Sequence, residues 1–363
     1  MRRHRSISII VLMTLVSAAL PILAIVPPFS SFQTQTAWLN SYILAGVYVL
    51  LALGLNIVVG LAGLLDLGYA AFFAIGSYTF AFAASPIYGL DIPFWPMVLI
   101  GAGIAAVFGI LLGAPTLRLR GDYLAIVTLG FGEIVPIVFL NADRFTGGTN
   151  GVRGIQSPEL LGFQFTTATI FAYYIVMAAL ITVTLIFIYR LQASRLGRAW
   201  MALREDELAA ASSGINTVTT KLLAFALGAS TAGLAGVFSA SKLTFVGPDQ
   251  FKFVVSFTVL AMVVLGGMGN AWGVAIGAFL LYIIQTVFLK LLNSFFGNLD
   301  VPILSDIDFI QYQFLLYGLA LVTMMLLRPE GFFPSIRRKQ ELHAEEDDGL
   351  EELTLPEDTS ARM

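Results

Sequence analysis

Residues 40–60 read NSYILAGVYVLLALGLNIVVG, a stretch without a single charged side chain. A helix of about 20 apolar residues can cross the hydrocarbon core of a bilayer. Similar runs recur along the chain, near 7–26, 40–60, 65–84, 94–113, 121–140, 168–189, 221–243, 253–268, 271–290 and 310–327. The pattern predicts an all-α polytopic integral membrane protein with about ten transmembrane helices.

The composition supports the same class. Of the 363 residues, 58% are hydrophobic and only 12% are charged, whereas a soluble domain carries roughly 25% charged residues. The mean hydropathy is +0.85. Many of the 34 glycines lie inside the apolar runs, which indicates packed helices with broken glycine-rich segments. A β-barrel would instead show short alternating strands.

The distribution of basic residues predicts the orientation. With the N-terminus placed in the cytoplasm, 15 of the 20 Lys and Arg residues fall on the cytoplasmic side and five fall outside. This bias predicts that both termini are cytoplasmic. The basic start of the chain and its first apolar run also resemble a secretory signal peptide, but a run of about 20 residues is longer than a usual signal core.

The residue inventory excludes several kinds of chemistry. The chain has no cysteine, and its two histidines, His4 and His343, lie in charged terminal segments. No phosphate-binding G-x-x-x-x-G-K-[S/T] motif, G-x-S-x-G motif or H-E-x-x-H motif is present. We therefore expect a chain that is not an enzyme, with no catalytic residue, no metal and no bound cofactor. The sequence has no basic patch interleaved with aromatic residues, so we do not expect the chain to bind nucleic acid.

Two regions are expected along the chain. Residues 1–335 form the transmembrane domain. Residues 336–363 form a cytoplasmic tail, in which positions 341–363 contain nine acidic residues and one basic residue. Such a strongly acidic segment is typical of a disordered, solvated tail.

One acidic residue falls in the middle of an apolar run. Glu133 is preceded by Gly130 and Gly132 and followed by Pro136. A carboxylate near mid-span costs at least about 2–3 kcal/mol unless it is solvated or paired. The glycines and the proline weaken the local helix, and a broken helix would free backbone groups for a polar substrate. Glu133 is therefore expected either to line a substrate pathway or to be a structural residue that is protonated or bonded to another helix.

A second acidic residue, Asp66, begins the third run, shortly before Tyr69. Its carboxylate is expected to cap the N-terminus of the following helix. The alternative is a position on the substrate pathway.

The longest cytoplasmic connection, residues 190–221, carries a predicted helix between Gly197 and Ser212 that is too short and polar to span the membrane. Gly214 fits a C-terminal helix stop. The helix either lies in the membrane interface or docks a cytoplasmic partner that supplies energy. The candidate docking residues are Arg195, Gly197, Arg198, Arg204, Glu205, Asp206, Glu207 and Gly214.

Two further patterns concern packing. Small residues recur every fourth position at 101–113 and at 228–240, which predicts close helix packing inside the bundle or at a subunit interface. Two glycine-rich segments, 58–63 and 263–269, are similar to each other, as the half-repeats of transporters are.

In the order of its motifs, the chain resembles the LivM-type permeases of branched-chain amino-acid ABC importers over residues 45–335. The matching stretches are 63–73, 117–133, 146–151, 194–216, 263–269 and 328–331. Urea and short-amide permeases are close relatives, but their early motif resembles Leu-Leu-Ser-Leu-Gly-His, where this chain has Leu65-Asp66-Leu67-Gly68-Tyr69.

The resemblance implies a permease subunit in the inner membrane of a bacterium. It further implies a second, LivH-like permease subunit, two ATP-binding cassette subunits that use ATP, and an extracytoplasmic binding protein. The loop at 194–216 would contact the ATPase. A proton-coupled secondary transporter that uses Glu133 and Asp66 is the alternative from another class.

Overall fold

A computed structural model describes residues 2–23, 33–116, 122–160, 163–166, 169–291, 293, 311–327 and 331–333. The helices are α1 (Arg2–Leu23), α2 (Gln35–Leu55), α3 (Ala70–Ala84), α4 (Phe94–Thr116), α5 (Asp122–Asn141), α6 (Asp143–Thr146), α7 (Ile170–Gln192), α8 (Arg195–Glu205), α9 (Glu207–Ser212), α10 (Thr217–Leu243), α11 (Phe253–Gly266), α12 (Ala271–Ile283) and α13 (Gln313–Leu327). The predicted tail, 336–363, lies outside the described residues.

Seven helical segments in the described part of the chain are long and apolar enough to cross a membrane. They are Gln35–Leu61, Phe94–Thr116, Tyr123–Asn141, Ile170–Gln192, Thr217–Leu243, Pro248–Gly266 and Ala271–Leu291. Three other predicted spans correspond to shorter apolar helices, Val11–Ile22, Ala70–Ala84 and Gln313–Met324. The all-α polytopic class is thus confirmed, whereas the number of ten spans and the orientation of the termini stay predictions.

Helix α10 lies at the centre of the bundle, against α2, α3 and α4. A Cβ atom on Gly109 of α4 would lie 2.7 Å from Phe225 O and 2.8 Å from Ala229 Cβ of α10. On another face of α10, a Cβ atom on Gly236 would lie 2.7 Å from Ser77 N of α3. The small residues on these helices therefore serve internal packing, which confirms the first of the two interpretations.

The chain path is interrupted at both glycine-rich segments. Helix α2 continues into a π-helical turn, Asn56–Leu61, and an irregular segment then leads to α3. Helices α11 and α12 are separated by a turn in which Gly267 and Gly269 have φ values of 109° and 82°. Glycine is needed there because residues with a side chain rarely adopt these backbone angles. Broken glycine-rich segments are thus present as predicted.

Short strands form at the end of the bundle away from α8 and α9. Strand β1 (Val152–Arg153) pairs antiparallel with β4 (Phe245–Val246), and β2 (Glu159–Leu160) pairs with β3 (Phe163–Gln164). The guanidinium of Arg153 lies 5.7 Å from the ring centre of Phe245, a cation–π distance. The β1–β4 pair joins two connections that are far apart in the sequence.

Helix α5 differs from the prediction, because it runs without a break through Gly130, Gly132 and Pro136. Gly132 is required for close packing rather than for a break. A Cβ atom at this position would lie 2.8 Å from Gly68 Cα, in the segment before α3. The expectation of a broken helix around Glu133 is therefore wrong.

Candidate functional site

The predicted docking segment consists of two short helices, α8 and α9, rather than the single helix expected over Gly197–Ser212. The break lies at Asp206, which has an extended backbone with φ −153° and ψ 115°. Its Oδ1 accepts hydrogen bonds from Leu208 N at 2.7 Å and Ala209 N at 3.0 Å, so Asp206 is the N-cap of α9. Local side-chain capping has overridden the helix propensity of the flanking residues.

The ends of the two-helix segment are fixed by local bonds. Ser194 caps α8, since its Oγ accepts from Gly197 N at 3.1 Å. A Cβ atom on Gly197 would lie 2.6 Å from Gln192 O, so glycine allows the close turn out of α7. At the other end Gly214 has φ 82°, and Ile215 N donates to Ala210 O at 3.1 Å. This is the Schellman geometry of a helix end, which confirms the predicted stop.

Buried polar bonds attach this segment to α10. The fully buried Trp200 of α8 donates its Nε1–H to Thr220 O at 2.7 Å. Lys221 Nζ pairs with Glu207 Oε1 of α9 at 2.6 Å. Glu207 was predicted to be available to a partner, but within this chain it already binds a lysine.

A third attachment reaches the first glycine-rich segment. Arg204, near the end of α8, donates from Nη1 to Gly60 O at 2.7 Å. Gly63 has φ 69°, and a Cβ atom there would lie 2.6 Å from Arg204 Cγ. Arg204 was also expected to face a partner, yet this contact places its guanidinium group against the membrane domain.

The remaining charged residues of the segment are exposed. Arg195, Arg198, Glu205 and Asp206 lie on the outer surface of α8 and α9. Leu208, at the start of α9, is 64% exposed among them. The outer surface therefore combines both signs of charge with one large apolar side chain, as a polar docking surface would.

Glu133 is the twelfth residue of the 20-residue helix α5 and lies on an exposed face. Its Oε1 accepts from the backbone N–H of Phe253 at 3.3 Å. Phe253 is the first residue of α11, so the carboxylate lies at a helix N-terminus, where the helix dipole favours negative charge. Gly130 lies one turn away on α5, and a Cβ atom there would meet nothing within 4 Å.

Asp66 does not cap α3. Its Oδ1 accepts from Gly68 N at 2.9 Å, before the helix begins, and the first amide of α3, Ala70 N, is bonded to Ser256 Oγ at 2.9 Å. Asp66 is 1% exposed, and its Oδ2 has no hydrogen-bond partner. The capping prediction is therefore wrong, because a hydroxyl from α11 occupies the position expected for Asp66.

Tyr69 is also buried. Its hydroxyl donates to Gly228 O of α10 at 2.8 Å and lies 3.2 Å from Thr231 Oγ1. These bonds join the segment before α3 to the central helix. Asp66 and Tyr69 are thus close together, whereas Glu133 lies on an exposed face, so the structure does not bring the three into one open site.

The described residues contain no group of three His, Asp or Glu side chains arranged to hold a metal ion. The features that stand out are thus the two-helix segment, residues 194–214, and the carboxylate at the start of α11. The first is attached to the bundle at three points, and the second places a charge on an apolar surface.

Comparison with known sequences identifies the relatives of this arrangement. The family model described as "Branched-chain amino acid transport system / permease component" matches residues 37–327. The chain belongs to this permease family. The match covers both glycine-rich segments, helices α8 and α9, and α5 with Glu133.

Several characterised members of the permease family are similar to the chain. It is 42% identical to the high-affinity branched-chain amino acid transport system permease protein LivM of Salmonella typhimurium, over 82% of this chain and 70% of that protein. The LivM protein of Escherichia coli is 41% identical, over 89% and 76%. The LivH permease protein of Escherichia coli is 27% identical, over 68% and 83%. No solved structure matches the chain.

The family assignment confirms the resemblance to LivM-type permeases that the ordered motifs indicated. The position that sequence reasoning missed is Asn56, a fully buried polar residue in the π-helical turn. Its amide stands inside a long apolar run, and that was the available signal.

Proposed function

We propose that this chain is one of two permease subunits of an ATP-driven importer that carries leucine, isoleucine and valine into the bacterial cytoplasm. In this assembly a LivH-like subunit forms the other half of the channel. Two ATP-binding cassette subunits hydrolyse ATP, and an extracytoplasmic binding protein delivers the amino acid. The chain itself performs no catalysis and lies in the inner membrane with both termini in the cytoplasm.

The attachment of α8 and α9 is the observation that carries this proposal. A separate ATPase moves the membrane helices only through a contact that does not yield under load. Trp200, Arg204 and Glu207 each bond to a different partner in the bundle, at 2.6–2.7 Å. A helix that merely lay on the membrane surface would not need three such bonds.

The position of Glu133 supports a pathway along the exposed face of α5. Ile134 and Ile137 lie on the same exposed face. An ionised carboxylate surrounded by lipid is strongly disfavoured, so this face is better matched to a second subunit and a water-filled path. A carboxylate beside the N-terminus of α11 gives this path polar groups of both signs, which suits a zwitterionic amino acid.

The test is reconstitution of the chain with its partner subunits in proteoliposomes. Uptake of labelled leucine should require ATP, the ATPase subunits and the binding protein. A proton gradient alone should drive no uptake by the isolated chain, and uptake under that condition would establish the secondary transporter instead. If urea or a short amide, rather than valine, inhibited leucine uptake, the proposed substrate class would be wrong.

A further inference from the structure

The two glycine-rich segments meet beside the buried residue Asn56. Asn56 Oδ1 accepts the hydrogen bond of Gly269 N at 2.8 Å. Gly60 lies against both partners, since a Cβ atom there would collide with Asn56 Oδ1 and lie 2.6 Å from Gly269 N. The similarity of the two segments therefore corresponds to direct contact between them.

Two further side chains, one at the end of α7 and one near the end of α8, bond to the same point. Gln192, the last residue of α7, donates from Nε2 to Gly269 O at 3.2 Å. Arg204, near the far end of α8, donates to Gly60 O at 2.7 Å. We name this set the glycine junction, which comprises Asn56, Gly60, Gln192, Arg204 and Gly269.

Both backbone polar groups of Gly269 are bonded to side chains. Its N–H is bonded to a side chain from the end of α2, and its carbonyl is bonded to a side chain from the end of α7. The turn also has a backbone bond of its own, from Asn270 N to Gly267 O at 3.2 Å, and the two side chains add a connection to α2 and α7. Displacement of α8 is thereby passed to the π-helical turn through Arg204, and displacement of the adjoining end of α7 is passed to the α11–α12 turn through Gln192.

Asn56 is the member that joins the two branches. It is 0% exposed, and its Nδ2 is buried without a partner. Burying an unpaired amide is unfavourable, and an apolar residue of similar size would pack there without that penalty. π-helical turns are frequent at functional positions in helices. The polar side chain thus lowers the stability of the protein, but it provides the bond to Gly269 N that an apolar residue could not make.

We propose that Asn56 is a positioning residue for transport, which holds the two glycine-rich segments together so that both follow the movement of α8. This inference rests on the proposed function, because the movement is supplied by a partner ATPase. Without the Asn56 bond, the π-helical turn and the α11–α12 turn move independently. ATP is then hydrolysed with less substrate carried per cycle.

The test compares Asn56→Leu and Gln192→Leu with wild type in the reconstituted complex. The measured quantity is the number of ATP molecules hydrolysed per leucine taken up. Each variant should raise this ratio severalfold, and the double variant should raise it by less than the product of the two effects, because both bonds act on Gly269. Co-purification of the ATPase subunits should stay at the wild-type level.

Asn141→Leu is the matched control, since its Nδ2 donates only to Ile137 O of its own helix. It should leave the ratio unchanged. An unchanged ratio in an assembled Asn56→Leu complex, or an equal rise in Asn141→Leu, would overturn the inference. If Asn56→Leu fails to assemble, Gln192→Leu decides, and a wild-type ratio in that variant overturns it.

Hydrogen exchange provides a readout that a merely structural role would not change. In the wild-type complex, exchange in residues 56–64 and 263–270 should change together when nucleotide binds to the ATPase subunits. In Asn56→Leu only residues 56–64 should respond, and a paired response there would contradict the inference. If substrate does not stimulate ATP hydrolysis by the wild-type complex, the proposed function is wrong, and the inference that rests on it is wrong as well.

Discussion

Lys221 Nζ lies 2.6 Å from Glu207 Oε1, and the pair joins α9 to the second turn of α10. The side chain of Lys221 is 7% exposed and that of Glu207 is 27% exposed. A pair at this depth lies between surface pairs, which contribute about 0–1 kcal/mol, and buried pairs, whose disruption costs about 3–5 kcal/mol.

Removal of one member should therefore destabilise the chain. We expect Glu207→Gln to lower the free energy of unfolding by about 1–3 kcal/mol, because it leaves a buried lysine charge without its carboxylate. The exchange of both charges, Glu207→Lys with Lys221→Glu, should recover part of the loss. The measurement is thermal unfolding in detergent, together with leucine-stimulated ATP hydrolysis of the complex.

The chain offers an exposed pair as the control. Lys252 Nζ lies 2.8 Å from Asp249 Oδ1, with side chains 64% and 84% exposed. Asp249→Asn should change the stability by less than about 1 kcal/mol. Equal effects of the two substitutions would show that the Lys221–Glu207 pair does not hold α9 in place.

Gly214 allows a prediction that separates backbone strain from packing. A Cβ atom at this position would meet nothing within 4 Å, so the φ of 82° is the sole obstacle to a side chain. Gly214→Val should cost about 1–2 kcal/mol and uncouple ATP hydrolysis from uptake, while membrane insertion persists. Gly214→Asn should behave nearly as wild type, because asparagine tolerates this conformation. Uptake at the wild-type level in Gly214→Val would exclude this exit angle from coupling.

Glu133 has two separable properties, its charge and its bond to Phe253 N. Glu133→Gln keeps an acceptor oxygen and removes the charge, whereas Glu133→Ala removes both. We expect the glutamine variant to lower leucine uptake about tenfold, which corresponds to roughly 1.4 kcal/mol, and the alanine variant to lower it at least as much. The amount of assembled complex should not change. Normal uptake by both Glu133 variants would remove this residue from the pathway.

The packing of α4 on α10 can be tested within one helix. In Gly109→Ala the new methyl group would lie 2.7 Å from Phe225 O, so we expect a loss of about 1–3 kcal/mol from overpacking. In Gly103→Ala the methyl group meets nothing within 4 Å, and alanine should stabilise the helix by about 0.5–1 kcal/mol. The two variants should thus shift the thermal midpoint in opposite directions, and equal shifts would show that α4 and α10 are not in close contact.

Much of the fold was predictable because hydrophobic length is a local property. The apolar runs, the small residues of α4 and α10, and the stop at Gly214 follow from spacing and backbone preference alone. The break at Asp206 also depends on local sequence, since aspartate is a common N-cap residue. The strong helix formers around it led to the prediction of one continuous helix instead.

The errors arose where a distant element decides the outcome. Asp66 resembles a helix cap, yet Ser256, far along the chain, bonds the first amide of α3. Gly132 suggested a weak helix, yet its lack of a side chain lets Gly68 approach α5. Arg204 and Glu207 were expected to face a partner, and both are used inside the chain. Such pairings cannot be read from one sequence, because they depend on how the helices assemble.

The β1–β4 pair has a consequence for the order in which the protein is made. Strand β1 is synthesised before α7, α8, α9 and α10, and β4 is synthesised after all four. The pairing of Val152 with Val246 therefore forms only once these helices have been inserted with the correct topology. Gly151 sharpens this requirement, because a Cβ atom there would collide with Val246 O. The small sheet can thus form only late in synthesis, and a nascent chain in which one of these four helices is misplaced cannot form it.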